Sequence, residues 1–242
     1  MSAIKIIVEP HWKNFYTIAG LAALLIVAAG IADTLLSMAA GEAAPNHVIP
    51  VSEWFHLFES SPMTALSNLG LINIITLSLG IPVYLALLHV HRHTHPAFAG
   101  LAATIYFIGV TIYISSNTVF SMLAISSQYA LASDSQRLFL EEAARAALAQ
   151  GADLTPGTFM GLGYTQLGGL IMALVLLRAG VFGKKIAWSG ILGFTCMLIF
   201  FTLAAFVPQL FSTAMLTSLI GGLALMIYHI LIAFRLFSAH SA

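Results

Sequence analysis

Six apolar segments leave this chain few ways to fold. They run over about 15–39, 64–89, 98–128, 158–179, 186–206 and 209–234. Each reaches the ~20 residues that an α-helix needs to cross about 30 Å of hydrocarbon. The pattern predicts an all-α polytopic membrane bundle, one transmembrane domain over 1–242. Only 7% of the residues are charged and the mean hydropathy is +0.96. A soluble domain carries about a quarter charged residues, so this chain could not cover a water-facing surface and its expected partner is the lipid bilayer. A net formal charge of zero gives no bulk attraction to nucleic acid. The single cysteine, Cys196, supports neither a disulfide framework nor a cysteine metal site. The first apolar run, Phe15 to Ala40, is too long for a signal-peptide core and contains Asp33, so no cleavable leader is expected. The third segment is long enough to tilt or project beyond the bilayer. The fifth and sixth, separated by Val207 and Pro208, form a tight hairpin.

The charges fix an expected orientation. Lys5, Lys13, Arg92, Arg178, Lys184, Lys185 and Arg235 flank one side, and Arg137 and Arg145 the other. The positive-inside rule then places both termini in the cytoplasm of a cell with this protein in its inner membrane. Of the acids only Glu9 is on the basic side. Glu42, Glu53, Glu59, Asp134, Glu141, Glu142 and Asp153 fall outside, and Asp33 near the outer end of the first span. Exclusion from a basic side is the simpler reading, since acids carry little topological weight; an acidic outer vestibule is the alternative.

Both long outer loops carry helix signals. The first is Ala/Pro-rich from Glu42 to Pro50. Ser52 then offers an N-cap, with Glu53 in the first turn. Trp54, Leu57 and Phe58 share one face and Glu53, His56 and Ser60 the other. This predicts a short amphipathic helix at the membrane interface, anchored by Trp54. In the second loop, Ser133 and Gln136 have capping-box spacing, and a helix should run to Gln150 with Gly151 as its C′ residue. Arg137–Glu141 and Glu141–Arg145 have i,i+4 spacing for ion pairs, and Leu140, Ala144 and Leu148 form a stripe. Gly157, Gly161, Gly163, Gly168 and Gly169 in the fourth span predict close helix approach, as do Gly20 in the first and Gly221 and Gly222 in the sixth. Pro82 should kink the second span. No internal repeat aligns.

Candidate chemistry is sparse. Asp33 is an ionisable group inside a span, which is expensive to keep there. Ser115-Ser116-Asn117-Thr118 interrupts the third span, and Asn68, Asn73, Tyr164, Gln166, Gln209, Ser212 and Thr213 lie in other outer halves, whereas the inner halves are almost purely apolar. Amides in lipid need partners. An interhelical hydrogen-bond network and an outward-facing polar pocket built on Asp33, Asn73, Ser116, Asn117 and Gln166 both fit. For metal, His89, His91, His93 and His95 end the second span. A helix would pair them at i,i+4, but Pro96 stops that helix and no acid or cysteine is near. Glu53-x-x-His56 has carboxylate-bridged metal spacing without the second copy such sites use. A Ser/His/Asp set would have to join Ser116 or Asp33 to His47 or His56, and no spacing links them. A lysine for a retinal Schiff base, an arginine-rich voltage sensor and a Gly-rich phosphate loop are all missing from the sequence. It requires no cofactor.

Tyr113-Ile114-Ser115-Ser116-Asn117-Thr118-Val119-Phe120-Ser121-Met122-Leu123, then Ser127-Gln128-Tyr129-Ala130, then Thr155-Pro156-Gly157, resembles an uncharacterised bacterial family of small polytopic membrane proteins. The resemblance is strongest from about 104 to 235. It implies a six-helix inner-membrane bundle, no assigned activity and no catalytic residue. The histidine run and the Glu53/His56 helix are not part of it. Three function classes stay open: an accessory or scaffold subunit packing in a larger membrane complex or with copies of itself, a small-molecule or lipid binding or transport protein with an outward pocket, and an intramembrane metal-dependent enzyme. The lack of any assembled catalytic set puts the first narrowly ahead of the second and the third last.

Overall fold

A computed structural model describes residues 10–39 and 49–240. Most of the Ala/Pro-rich stretch, with Glu42 and His47, lies outside the described residues, as do Lys5 and Glu9. Ten α-helices follow in order: α1 Lys13–Ala39, α2 Val51–Ser60, α3 Pro62–Asn68, α4 Leu71–His91, α5 Pro96–Ser116, α6 Val119–Tyr129, α7 Asp134–Gly151, α8 Pro156–Ala179, α9 Lys184–Phe206 and α10 Phe211–His240. Among the described residues there is no strand. Six helical stretches are long and apolar enough to cross a membrane.

The spans form a ring in chain order. α1 packs on α4, α4 on α5, α5 on α8, α8 on α9, α9 on α10, and α10 returns to α1. A single 3-10 turn, Pro208–Leu210, makes the α9–α10 hairpin. The α5–α8 seam follows from the glycines. A Cβ at Gly168 would sit 2.8 Å from the Ala102 carbonyl oxygen, and one at Gly161 would sit 2.6 Å from the Tyr113 Cα. Only hydrogen fits there, so the backbones approach as small residues allow. Gly169 takes the Phe194 ring in the same way, and Gly20 the Phe237 ring. Gly222 meets nothing. Pro82 lies inside α4, which continues to His91.

The end of the bundle that carries Asp33 bears a second small core. Trp54, Phe55 and Phe58 of α2 pack with Leu69, with Val119 and Met122 of α6, and with Ala144 of α7. Trp54 is fully buried here. It is therefore a core residue, not the expected interfacial anchor, because α6 and α7 fold over it. The Phe55 ring stacks on Tyr129 at 3.9 Å. Glu53, His56 and Ser60 are exposed, as the amphipathic pattern requires. Helix α2 begins two residues earlier than expected: Pro50, with extended ψ of 146°, takes the N-cap position and Ser52 falls inside the first turn.

Helix α7 has the expected capping box at Ser133 and Gln136, but the expected ion pairs do not form. Tyr129 draws both partners away, donating its hydroxyl to Glu141 at 2.9 Å while Arg137 sits over its ring at 5.2 Å. Arg145 instead reaches Glu142 at 3.7 Å. Gly151 is the last helical residue, and Ala152 caps it. A Cβ on Gly151 would overlap the Ser116 carbonyl, so its smallness serves packing.

Candidate functional site at three helix interruptions

The expected second and third spans are not continuous. α3 and α4 are separated at Leu69–Gly70, and α5 and α6 at Asn117–Thr118. A third interruption, Ala152 to Thr155, separates α7 from α8. Each break has a local cause. Gly70 adopts φ +95°, the left-handed conformation that ends a helix at little cost to glycine. Asn117 turns extended at ψ 138°, and its Oδ1 accepts from the Val119 N–H at 2.9 Å, starting α6. Asp153 and Thr155 precede Pro156, which fits the first turn of α8.

Interrupted helices leave N–H and C=O groups without intrahelical partners, and side chains here satisfy them across the breaks. Asn117 Nδ2 donates to the Leu69 carbonyl at 2.8 Å, so one amide serves the end of α3 and the start of α6. The Thr118 N–H donates to the Gly151 carbonyl at 3.1 Å. Asp153 joins all three. Its Oδ1 accepts from the Tyr113 hydroxyl at 2.7 Å and its Oδ2 from Asn73 Nδ2 at 2.8 Å, while the Leu154 N–H also donates to the carboxylate. Asp153 is only 5% exposed. Leu154, immediately after it, sits at φ +59°, the one non-glycine residue with positive φ among those described. For a side chain as large as leucine that conformation costs about 1–2 kcal/mol.

Asp33 of α1 stands beside this cluster. Ser67 of α3 donates to its Oδ1 at 2.6 Å. Asp33 acts on Asp153 only weakly, as a like charge across the cluster. Asp33 is half-buried, and the bond from Ser67 is its only hydrogen bond among the described residues.

The expected pocket residues thus divide. Asn73 and Asn117 enter the cluster, with Asp33 at its edge. Ser116 does not, since its hydroxyl turns back to the Tyr113 carbonyl of its own helix at 3.4 Å. Gln166 is buried in α8. Its Nε2 bonds to Thr165 at 3.4 Å, and its Oε1 has no partner among the described residues. Gln209, Ser212 and Thr213 are exposed and contribute nothing to the cluster. Asp153, Tyr113, Ser67 and Gly70 were missed. Asp153 reads in sequence as one loop acid among several, although Asn68-Leu69-Gly70 carries the glycine signal of a helix end.

The metal candidates do not converge. The Tyr16 hydroxyl bonds to His89 Nδ1 at 2.7 Å, Trp12 stacks on His89 at 3.7 Å, and Arg92 donates to His89 Nε2 and, at 2.9 Å, to His93 Nε2. A guanidinium therefore occupies the lone pairs that a cation would need. His91 is buried and bonds through Nδ1 to the Leu87 carbonyl at 2.8 Å. His95 precedes α5. Glu53 and His56 lie exposed on α2. Among the described residues no group of three His, Cys, Asp or Glu is placed to hold a metal ion.

The apolar reading of the inner halves also needs correction. Tyr84, Tyr106 and Tyr228 share the main core, with the Tyr84 and Tyr106 rings stacked at 3.8 Å. Tyr106 donates to the Leu77 carbonyl at 2.9 Å, while the Tyr84 and Tyr228 hydroxyls have no partner among the described residues. No family model, curated protein or solved structure matches the chain.

Proposed function

We propose that this is a multi-pass inner-membrane protein that binds a small cationic solute at the Asp33–Asp153 cluster, reached from the face opposite the termini. The observation that carries this reading is the meeting of three helix interruptions around a buried carboxylate. Interrupted helices whose freed backbone groups are met by enclosed polar side chains are how many transporters build their sites. The strained Leu154 backbone supports the same reading, because such conformations gather at ligand sites. A cation at the Asp153 carboxylate would offset the cost of keeping that group buried. The charge partition supports cytoplasmic termini, which gives the cluster an outward aspect.

The test is thermal unfolding of purified protein against a panel of inorganic cations and small organic amines. A ligand at a hundred times its Kd adds about 2.7 kcal/mol of stability. At least one panel member should raise the unfolding temperature of the wild type and lose that effect in Asp33→Asn and Asn117→Ala. Equal shifts in wild type and both variants, or no shift from any member, would reject the site.

A second reading, the accessory subunit, is favoured by one observation. Leu131, Leu138 and Phe139 are 91%, 66% and 78% exposed on the small subdomain, beyond the spans. Native purification with mass spectrometry separates the readings: a stoichiometric co-purifying subunit supports the second, and a monodisperse single chain rejects it.

A further inference from the structure

The opposite end of the bundle holds a different feature. The glycine seam keeps α5 and α8 close as far as Ala102 and Gly168. Beyond it the facing residues become large, and the helices leave a cavity of about 250 Å³ lined by Phe98, Leu101, Ile171, Leu174 and Val175. His95 and Arg178 close its polar end. Arg178 lies in the last turn of α8 and His95 just before α5, so both stand at the level where spans leave the hydrocarbon. The groove opens sideways toward lipid, since Phe98, Leu101 and Leu174 are each exposed by 42% or more. The Arg178 guanidinium is exposed and makes no hydrogen bond or ion pair among the described residues. Among the described residues no acidic side chain lies at this end, so none competes for it.

We infer that this groove is a binding site for one anionic phospholipid, with an acyl chain between α5 and α8 and the headgroup phosphate on Arg178 and His95. The shape argument and the charge argument are separate and coincide. An apolar slot takes an acyl chain by van der Waals packing, since a chain leaving lipid gains no hydrophobic burial. An unpaired guanidinium at its mouth matches a phosphate with two parallel N–H donors. Basic pockets between spans at the cytoplasmic side bind anionic headgroups in this manner. The site is independent of the Asp153 cluster.

The experiment is native mass spectrometry of the full-length protein after equilibration with mixed micelles of phosphatidylglycerol and phosphatidylcholine in equal amounts. The wild type should retain one phosphatidylglycerol in preference to phosphatidylcholine. Arg178→Ala should reduce that retention roughly tenfold, the effect of a lost charged hydrogen bond. Lys185→Ala, which removes an exposed charge from the same end but outside the groove, should leave retention unchanged. Leu174→Trp, which fills the slot, should lower retention with Arg178 intact. The inference is overturned by equal retention of both lipids, by equal loss in Arg178→Ala and Lys185→Ala, or by full retention in Leu174→Trp.

Discussion

Gly70→Ala should be among the most damaging single-atom-scale changes in this protein, for two separable reasons. The first is conformational. Gly70 has φ +95°, where a Cβ meets the backbone at a cost of about 1–2 kcal/mol. The second is crowding. The new Cβ would overlap the Tyr113 hydroxyl, and would lie 2.9 Å from Asn117 Nδ2 and 3.0 Å from Asp153 Cγ. Those groups hold the cluster together, so displacing them forfeits a hydrogen bond to a carboxylate, about 1.5–3 kcal/mol. The expected total is roughly 2.5–5 kcal/mol. Gly180 provides the control. It also has positive φ, +67°, but a Cβ there meets nothing within 4 Å, so Gly180→Ala should cost only the conformational part. The assay is equilibrium unfolding in mixed micelles. Tyr113→Phe sharpens it, since deleting the hydroxyl relieves the overlap, and the double variant should be less destabilised than the sum of the singles. Gly70→Ala no worse than Gly180→Ala, or strict additivity with Tyr113→Phe, would refute the reasoning.

Two other outcomes follow from the packing. Trp54→Ala should cost about 3–5 kcal/mol, and because its partners are Val119, Met122 and Ala144, limited proteolysis should show cleavage in α7 before the spans open. Cleavage unchanged from wild type would mean that Trp54 does not organise this subdomain. Tyr106→Phe should destabilise by about 0.5–1.5 kcal/mol through loss of its bond to Leu77, whereas Tyr228→Phe removes a hydroxyl that makes no hydrogen bond in the described structure and should be neutral or stabilising; the reverse order in thermal unfolding would contradict the assignment of partners.

Much of the fold was legible because length and hydropathy are local properties. Each apolar run had to cross or be buried, and the charges between the runs alternate in sign preference. The glycines of α8 could be read as close-approach points for the same reason, since a missing side chain at Gly161 or Gly168 has one common use in a span. What failed was whatever depended on a distant partner. Trp54 reads as an anchor because an aromatic on a loop helix near a membrane has that role when nothing covers it; α6 and α7 cover it. Arg137 and Glu141 read as a pair because they are four apart, but Tyr129, which takes both, lies outside their helix. The break at Gly70 lies inside a run that remains apolar on average, and at Asn117 the sequence shows a polar interruption but not that the helix ends there. Asp153 is the clearest case. Its burial is created by Tyr113, Asn73 and Leu154 arriving from three segments, and no window around residue 153 contains the first two.

The central structural claim is that one carboxylate holds three helix interruptions together. Hydrogen–deuterium exchange on the wild type and Asp153→Asn tests it directly. The asparagine keeps the shape but replaces one acceptor oxygen by a donor; turned toward Asn73 it sets two amide donors face to face, and turned toward Tyr113 it removes the acceptor that the hydroxyl now uses. Protection should fall together around Gly70, Asn117 and Ala152, with α9 and α10 unchanged. Loss confined to the segment around Asp153 itself would contradict the account.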